Sequence, residues 1–367
     1  MTKLSHEESD PDCTENLEEN SQSIILGLIS QLGKDMNLHK ITLPVFVLEP
    51  RSMLERITDF MSHPNILLDA KREPEPTNRF IGVVKYFLSG WHIKPKGVKK
   101  PYNPILGELF KCQWNYEDGS KGIYISEQVN HSNPSPCSAY YFANPDAGIY
   151  CHGELYPKPK FLGNTVATIM EGGSTIQFYY RDNNHYESYD ITMPNVYAKG
   201  ILFGKMVLEL NDNCIVKCSE LDLICEMKFK SKGLFSSKYN SITGKIKKQS
   251  TGETLYEVFG QWSGQIYIKS KDSTEKTLLF DAPTAPIYPK IVEPESNQTP
   301  LESRRVWNQV TLALQKKDLD EATKQKFIIE NGQRIKAKER EESDVKWIPK
   351  YFIKNSQDKY QFIGHAR

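Results

Sequence analysis

The run Lys99-Lys100-Pro101-Tyr102-Asn103-Pro104-Ile105-Leu106-Gly107-Glu108 places two adjacent ammonium groups on a backbone stiffened by two prolines. Each proline fixes its own φ and pushes the preceding residue toward extended backbone. Such a segment can hold a cation, Lys100, and an amide, Asn103, at a set distance, which is what an anion-binding edge requires. A second unusual segment follows at Glu127-Gln128-Val129-Asn130-His131-Ser132-Asn133-Pro134. A third group lies far downstream, where Lys326, Glu330 and Arg334 recur at i, i+4 and i+8 and form one helical stripe. A stripe of this kind is most often a solvated row of ion pairs. Here Lys316, Lys317, Lys324, Lys336, Lys338 and Arg340 enrich the same region in cations, so it can also serve as the second jaw of a phosphate site opposite Lys100.

Other chemistry finds less support. Glu127 and His131 could form an acid–base pair, but no G-x-S-x-G elbow or other nucleophile motif accompanies them. A lone histidine beside turn residues is more often structural or a ligand contact. Cys214, Cys218 and Cys225 lack metal-ligand spacing, and alternation is expected to put Cys214 and Cys218 on one strand face and Cys225 on the other. No Walker or dinucleotide glycine motif is present. The expectation is a binding protein without metal, cofactor or catalytic residue.

A net charge of +1 gives no general electrostatic footprint for nucleic acid. The seven cysteines are odd in number and without framework spacing, and residues 1–20 are acidic and without the charged-then-apolar order of a leader. A reduced cytosolic setting is the simplest expectation. The apolar run Ile24–Ile29 is far short of the ~20 residues a spanning helix needs, so any membrane contact is peripheral.

These groups need a scaffold. Residues 1–20 read as a disordered acidic tail. Ile25, Leu28, Ile29, Leu32 and Met36 then recur at helical spacing, giving an amphipathic helix over about 23–36 that is either docked on a core or a movable lid. Pro44 and Pro50 bracket an extended piece, and Ser52 with Glu55 predicts a capping box starting a helix through Phe60. A further helix is expected at Arg79–Trp91. From about 110 to 280 the period becomes two, with predicted strands at Lys121–Val129, Ser138–Phe142, Gly148–Leu155, Thr165–Met170, Thr175–Tyr180, Val207–Leu210, Leu221–Phe229 and Thr254–Ile268. Turns are expected at Glu117-Asp118-Gly119, Gly172-Gly173, Asp182-Asn183-Asn184 and Ser250-Thr251-Gly252. So long an antiparallel meander must curl, and a wide barrel leaves a tunnel that side chains do not fill. Helices are expected over Glu302–Lys316 and about Asp320–Arg340, within a C-terminal helical region of about 301–367. The fold class is therefore mainly β with flanking α, and residues 21–367 form a single domain.

The segments around Lys100 and His131 resemble the lipid-binding domain of the oxysterol-binding protein family. Lys99–Glu108 matches that family's first signature, and Glu127–Pro134 resembles its fingerprint Glu-Gln-Val-Ser-His-His-Pro-Pro. Gly260-Gln261-Trp262-Ser263-Gly264 and Pro300-Leu301-Glu302-Ser303-Arg304 follow in the right order, and the resemblance runs from Ser23 to Phe352. It implies a large incomplete antiparallel β-barrel around a hydrophobic tunnel, closed by the lid helix, in a stand-alone monomeric short form. The implied job is non-enzymatic: carrying a sterol or phosphatidylserine between membranes, in exchange for phosphatidylinositol 4-phosphate. A sensor that binds lipid without transporting it is the alternative. By the resemblance, Lys100 and Asn103 would hold the phosphodiester, Lys326 and Glu330 the headgroup, and His131 and Arg334 the 4-phosphate. The chain departs from the fingerprint at Asn130, Ser132 and Asn133. Ser132 stands where the family has its second histidine and offers a single hydroxyl, which predicts weakened phosphoinositide binding. The stretch Leu43–Ser52 resembles the branch that includes phosphatidylserine carriers.

Overall fold

The computed structural model describes residues 45–94, 97–132, 136–232 and 239–364, together with the backbone of Thr14–Glu15. The expected lid helix, with Ile25, Leu28, Ile29, Leu32 and Met36, lies outside the described residues.

Strand β1 (Thr14–Glu15) is followed by β2 (Leu48–Ser52), helices α1 (Met53–Arg56), α2 (Pro64–Arg72) and α3 (Pro76–Ser89), and strand β3 (Lys100–Tyr102). The meander then comprises β4 (Leu109–Asn115), β5 (Lys121–Asn130), β6 (Cys137–Asn144), β7 (Ile149–Phe161), β8 (Thr165–Tyr180), β9 (His185–Ile191) and β10 (Asn195–Lys199). It continues through β11 (Met206–Cys218), β12 (Leu223–Lys230), β13 (Ser241–Lys248), β14 (Thr254–Gln261), β15 (Gln265–Ser270) and β16 (Thr277–Asp281). Helices α4 (Ser303–Val306), α5 (Asn308–Gln315) and α6 (Leu319–Glu342) and the hairpin β17 (Phe352–Lys354) and β18 (Tyr360–Phe362) complete the chain.

The strands form one antiparallel sheet of 14, with β16 and β4 at the two ends of its path and β9 and β1 pairing beside β11. Pairing between β4 and β16 is absent among the described residues, so the barrel is incomplete. The open edge of β4 is covered by the proline-rich passage after β16. Gln113 and Ile291 exchange main-chain bonds of 2.9 and 2.7 Å, and the Leu109 N–H donates to Leu301 O at 2.9 Å. Covering an edge in this way removes a template for unwanted pairing.

Period-two patterning fills the interior. Phe110, Cys112 and Trp114 alternate inward along β4 and belong to one buried core with Leu67, Phe80, Val84 and Phe87 of α2 and α3. Arg79 on α3 makes a buried bidentate pair with Glu187 at 2.7 and 2.8 Å, so neither charge is left alone in the core.

Several expectations need correction. Gly172-Gly173 is not a turn: β8 runs straight through it, with Leu155 opposite Gly172 and Glu154 opposite Gly173. A Cβ on Gly172 would sit 2.1 Å from Glu154 O, and one on Gly173 2.4 Å from Ile191 O, so the glycines serve close strand approach. Cys225 lies opposite Val216, which puts it on the same buried face as Cys214 and Cys218. The alternation restarts across the turn between β11 and β12, and counting through that turn gives the wrong face. The capping box is half present. The Ser52 hydroxyl accepts from Leu54 N, but Glu55 is drawn away to Arg304 and Lys290. The helix expected through Phe60 becomes 3-10 from Ile57 to Met61. Thr254–Ile268 is two strands, and Glu302–Lys316 breaks at Trp307 into α4 and α5. Within the stretch expected to be disordered, Thr14 and Glu15 pair with Val207 and Met206.

Where the chain enters α2, His63 is buried and its Nδ1 lies 2.8 Å from Pro286 O, while its Nε2 lies 2.8 Å from Nε2 of His92. A carbonyl only accepts, so His63 carries its proton on Nδ1 and His92 donates from Nε2. Burial lowers the pKa of both rings, and that of His92 falls to about 4 under burial, His63 and Lys94. Stability is therefore complete above pH ~6.5, where the unfolded imidazole is neutral, and is lost as pH falls toward the folded value. Discounted for partial exposure, the loss from His92 between pH 7.5 and pH 5 is about 1 kcal/mol. Thermal melts at both pH values should show this drop, and His92→Phe should shrink it; an equal drop in the variant excludes the pair as its source.

Candidate functional site

The Lys99–Glu108 segment is positioned by parallel pairing of β3 with β2, in which Leu48 faces Lys100 and Ser52 faces Tyr102. The two lysines have different tasks. Lys99 donates from Nζ to Phe46 O at 2.8 Å, fixing the segment, while Lys100 is presented to solvent. Tyr102 stacks on Trp307 at 4.7 Å. Glu108 is fully buried and accepts from Ser52 Oγ (2.5 Å), Ser303 Oγ (2.7 Å), Ile105 N (3.0 Å) and Trp307 Nε1 (2.9 Å). Burial raises its pKa, and the four donors oppose that rise. Gly107 adopts φ +78°, and a Cβ there would meet the Trp347 ring at 2.4 Å. Glycine is needed on both counts.

The second segment is joined to the first by main-chain bonds of 2.9 Å from Gly107 N to Gln128 O and from Gln128 N to Glu108 O. A register shift between Gln128 and Asn130 re-aims the end of β5. His131 emerges there with Nε2 3.3 Å from Asn103 Nδ2, and the Ser132 N–H donates to Asn130 Oδ1 at 2.9 Å. Glu127 does not serve His131. It is buried and accepts from the main-chain N–H groups of Lys350 (2.7 Å) and Tyr351 (2.8 Å), strapping the C-terminal segment to the barrel.

Helix α6 supplies the third group as a graded row rather than a solvated one. Lys326 is 7% exposed and pairs with Glu330 at 2.8 Å. Arg334, 55% exposed, lies 3.7 Å from the other oxygen of Glu330. Gln333 accepts from Leu106 N at 2.6 Å and docks the helix on the first segment. Lys100 keeps contact with solvent, yet the protein surrounding it and the nearby Lys326 push its pKa down to about 8, with Glu330 opposing. A bound anion there would offset the repulsion that Lys326 exerts on Lys100.

Apolar residues continue from this cluster. Phe161, Val166, Ala198 and Leu208 form one cross-strand row over β7, β8, β10 and β11, each half-buried. Val98, directly before Lys99, packs against them with Ile201 and Met206. Leu210, two residues from Leu208 and so on the same face, belongs to the main barrel core.

The family model for oxysterol-binding protein matches residues 23–313 and 310–366. This chain belongs to the oxysterol-binding protein family. An oxysterol-binding protein homolog of Schizosaccharomyces pombe is 43% identical over 97% of this chain and 75% of the relative. Oxysterol-binding protein homolog 7 of Saccharomyces cerevisiae is 44% identical over 90% of this chain and 76% of the relative. The fold matches the Osh1 ORD domain solved with cholesterol, at TM-score 0.75 and 23% identity over 96% of this chain and 89% of that one. It also matches the Saccharomyces cerevisiae Osh3 ORD solved with PI(4)P, at TM-score 0.70 and 21% identity over 96% and 92% of the two chains.

In this family member, the structure brings Asn103 to His131 and Lys100 to Lys326 and Glu330, while Arg334 turns to Glu330. Gln333 was not anticipated, although it lies at i+7 from Lys326 and so on the same helical face. The anchoring role of Glu108 was also missed. Nothing in its local sequence marks the four donors, three of which come from distant elements.

Proposed function

We propose that this oxysterol-binding protein family member is a non-catalytic lipid carrier. It holds the polar end of one lipid between Lys100 and the α6 row, with the apolar body along the barrel interior. The observation that carries this reading is the juxtaposition of the Lys100–Lys326–Glu330 cluster with the half-buried apolar row below Val98. Lys100 and Asn103 take a phosphodiester, Lys326 and Glu330 the headgroup, and His131 and Arg334 a terminal phosphate. The cargo in this reading is a sterol or phosphatidylserine, exchanged for phosphatidylinositol 4-phosphate; neighbours solved with cholesterol and with PI(4)P support the sterol and the phosphoinositide as ligands. Transient attachment of a monomer to membrane surfaces fits the finding that, among the described residues, no helix is long and apolar enough to cross a membrane.

Transfer between donor and acceptor vesicles tests the reading. Sterol or phosphatidylserine should move at a rate set by protein concentration; stoichiometric uptake without transfer would assign a sensor instead. Ser132 replaces an imidazole donor with a hydroxyl, and a hydrogen bond to a charged group is worth about 1.5–3 kcal/mol. Ser132→His should therefore raise affinity for phosphatidylinositol 4-phosphate by up to ten- to a hundredfold. Equal extraction by both forms would remove Ser132 from the account.

A further inference from the structure

We propose that the tips of the β7–β8 and β10–β11 connections form a built docking surface for an anionic bilayer. This inference rests on the lipid-carrier reading and names the face that meets the membrane. Leu162 is 48% and Phe203 68% exposed, large apolar side chains held outward rather than packed. Their backbones are pinned. Asn164 Oδ1 accepts from the N–H groups of Leu202 (2.8 Å) and Phe203 (3.2 Å), and its Nδ2 donates to Phe203 O at 3.0 Å. Asn164 O accepts from Gly200 N at 2.9 Å and Ile201 N at 3.4 Å, and Leu162 N donates to Thr165 O at 2.8 Å. Gly163, Gly200 and Gly204 take φ of +73 to +88°, so both connections turn tightly on residues that carry no Cβ. One asparagine thus locks the two tips together and fixes Phe203 close to Leu162.

The surrounding charge selects the occupant. Between Pro157 and Met170, and between Thr192 and Leu208, the sequence contains lysines but no aspartate or glutamate. Lys158 and Lys199 are consumed by Glu171 (2.5 Å) and Glu209 (2.6 Å). Lys160 and Lys205 are exposed and have no ion-pair partner among the described residues. Two apolar tips rimmed by two unpaired cations suit an interface where acyl chains lie beneath anionic headgroups. Phe161, Val166 and Ile201 directly behind the tips pack with Val98, so the docking face is continuous with the apolar row leading to Lys99 and Lys100. A lipid leaving a bilayer held at this face meets apolar surface before its head reaches the cation cluster.

Vesicle co-sedimentation of the full chain tests the proposal, using phosphatidylcholine vesicles with and without phosphatidylserine. Burying two such side chains at an interface predicts that Leu162→Ser with Phe203→Ser lowers partitioning about tenfold or more. Lysines at the headgroup level are drawn to anionic lipid, so Lys160→Ala with Lys205→Ala should lower it about tenfold or more, on anionic vesicles only. Both double variants should melt like the parent and load lipid from detergent micelles to the same extent by native mass spectrometry. Unchanged vesicle binding by both, with micelle loading intact, overturns the docking surface and spares the carrier reading. Failure of the parent to load lipid overturns the carrier reading itself. If vesicle binding is unchanged but the Leu162 and Phe203 substitutions accelerate proteolysis within residues 1–44, the tips are covered by that segment and the proposal fails.

Discussion

Lys100→Ala should lower extraction of an anionic phospholipid from vesicles by ten- to a hundredfold without lowering Tm. The magnitude follows from one charge-assisted hydrogen bond, worth about 1.5–3 kcal/mol. The unaltered Tm follows from geometry: the exposed Lys100 has its pKa pushed down to about 8 by the protein around its ammonium first and by the nearby Lys326 second, and Lys99 carries the structural bond to Phe46. The same environment predicts a pH signature. A phosphate anion favours the protonated amine, so bound Lys100 titrates above about 8, the value in the free protein. Affinity should then decline by up to about tenfold per pH unit between the free and bound values. Extraction measured from pH 7 to pH 10 should show this decline in the parent and a flat profile in Lys100→Ala. A flat profile in both would remove Lys100 from the anion site, whatever lipid is carried.

Glu108→Ala carries the largest expected cost in stability, about 3–5 kcal/mol. It leaves the donors of Ser52, Ser303, Ile105 and Trp307 in a buried site without their acceptor. Those donors come from β2, α4, the β3–β4 connection and the break between α4 and α5, so one carboxylate joins the first jaw to the C-terminal helices. Chemical unfolding should show a lower midpoint with a similar slope, and the loss should exceed that of Asp118→Ala, a carboxylate on an exposed turn. A Glu108→Ala protein as stable as the parent would mean that the segment is held by β2–β3 pairing and the Tyr102–Trp307 stack alone. The two variants would separate functions that the motif runs together: the binding proposed for Lys100, and the anchoring of its segment by Glu108.

The barrel was legible in the sequence because period-two alternation is a local signal. Phe110, Cys112 and Trp114 must share a face wherever β4 lies. The Lys326–Glu330–Arg334 row was legible for the same reason at helical period. The errors arose where backbone proximity overrides a local cue. Gly172-Gly173 has the composition of a turn, but its lack of Cβ atoms is used by the carbonyls of Glu154 and Ile191 from neighbouring strands. Glu55 has the spacing of a capping residue, but Lys290 and Arg304, hundreds of residues away, offer charge that Ser52 N–H cannot match.

The sequence by itself determined an antiparallel β framework, a proline-stiffened segment carrying Lys100 and a single family likeness, because residue type, proline stiffness and periodicity act over a few residues. Only the tertiary structure decided which charges remain available to a ligand. It turned Lys99 to Phe46, Glu127 to the Lys350 and Tyr351 amides, and Glu108 to four donors, leaving Lys100 beside Lys326. Pairing partners brought together from opposite ends of a chain depend on strand order and register, and no local spacing encodes them.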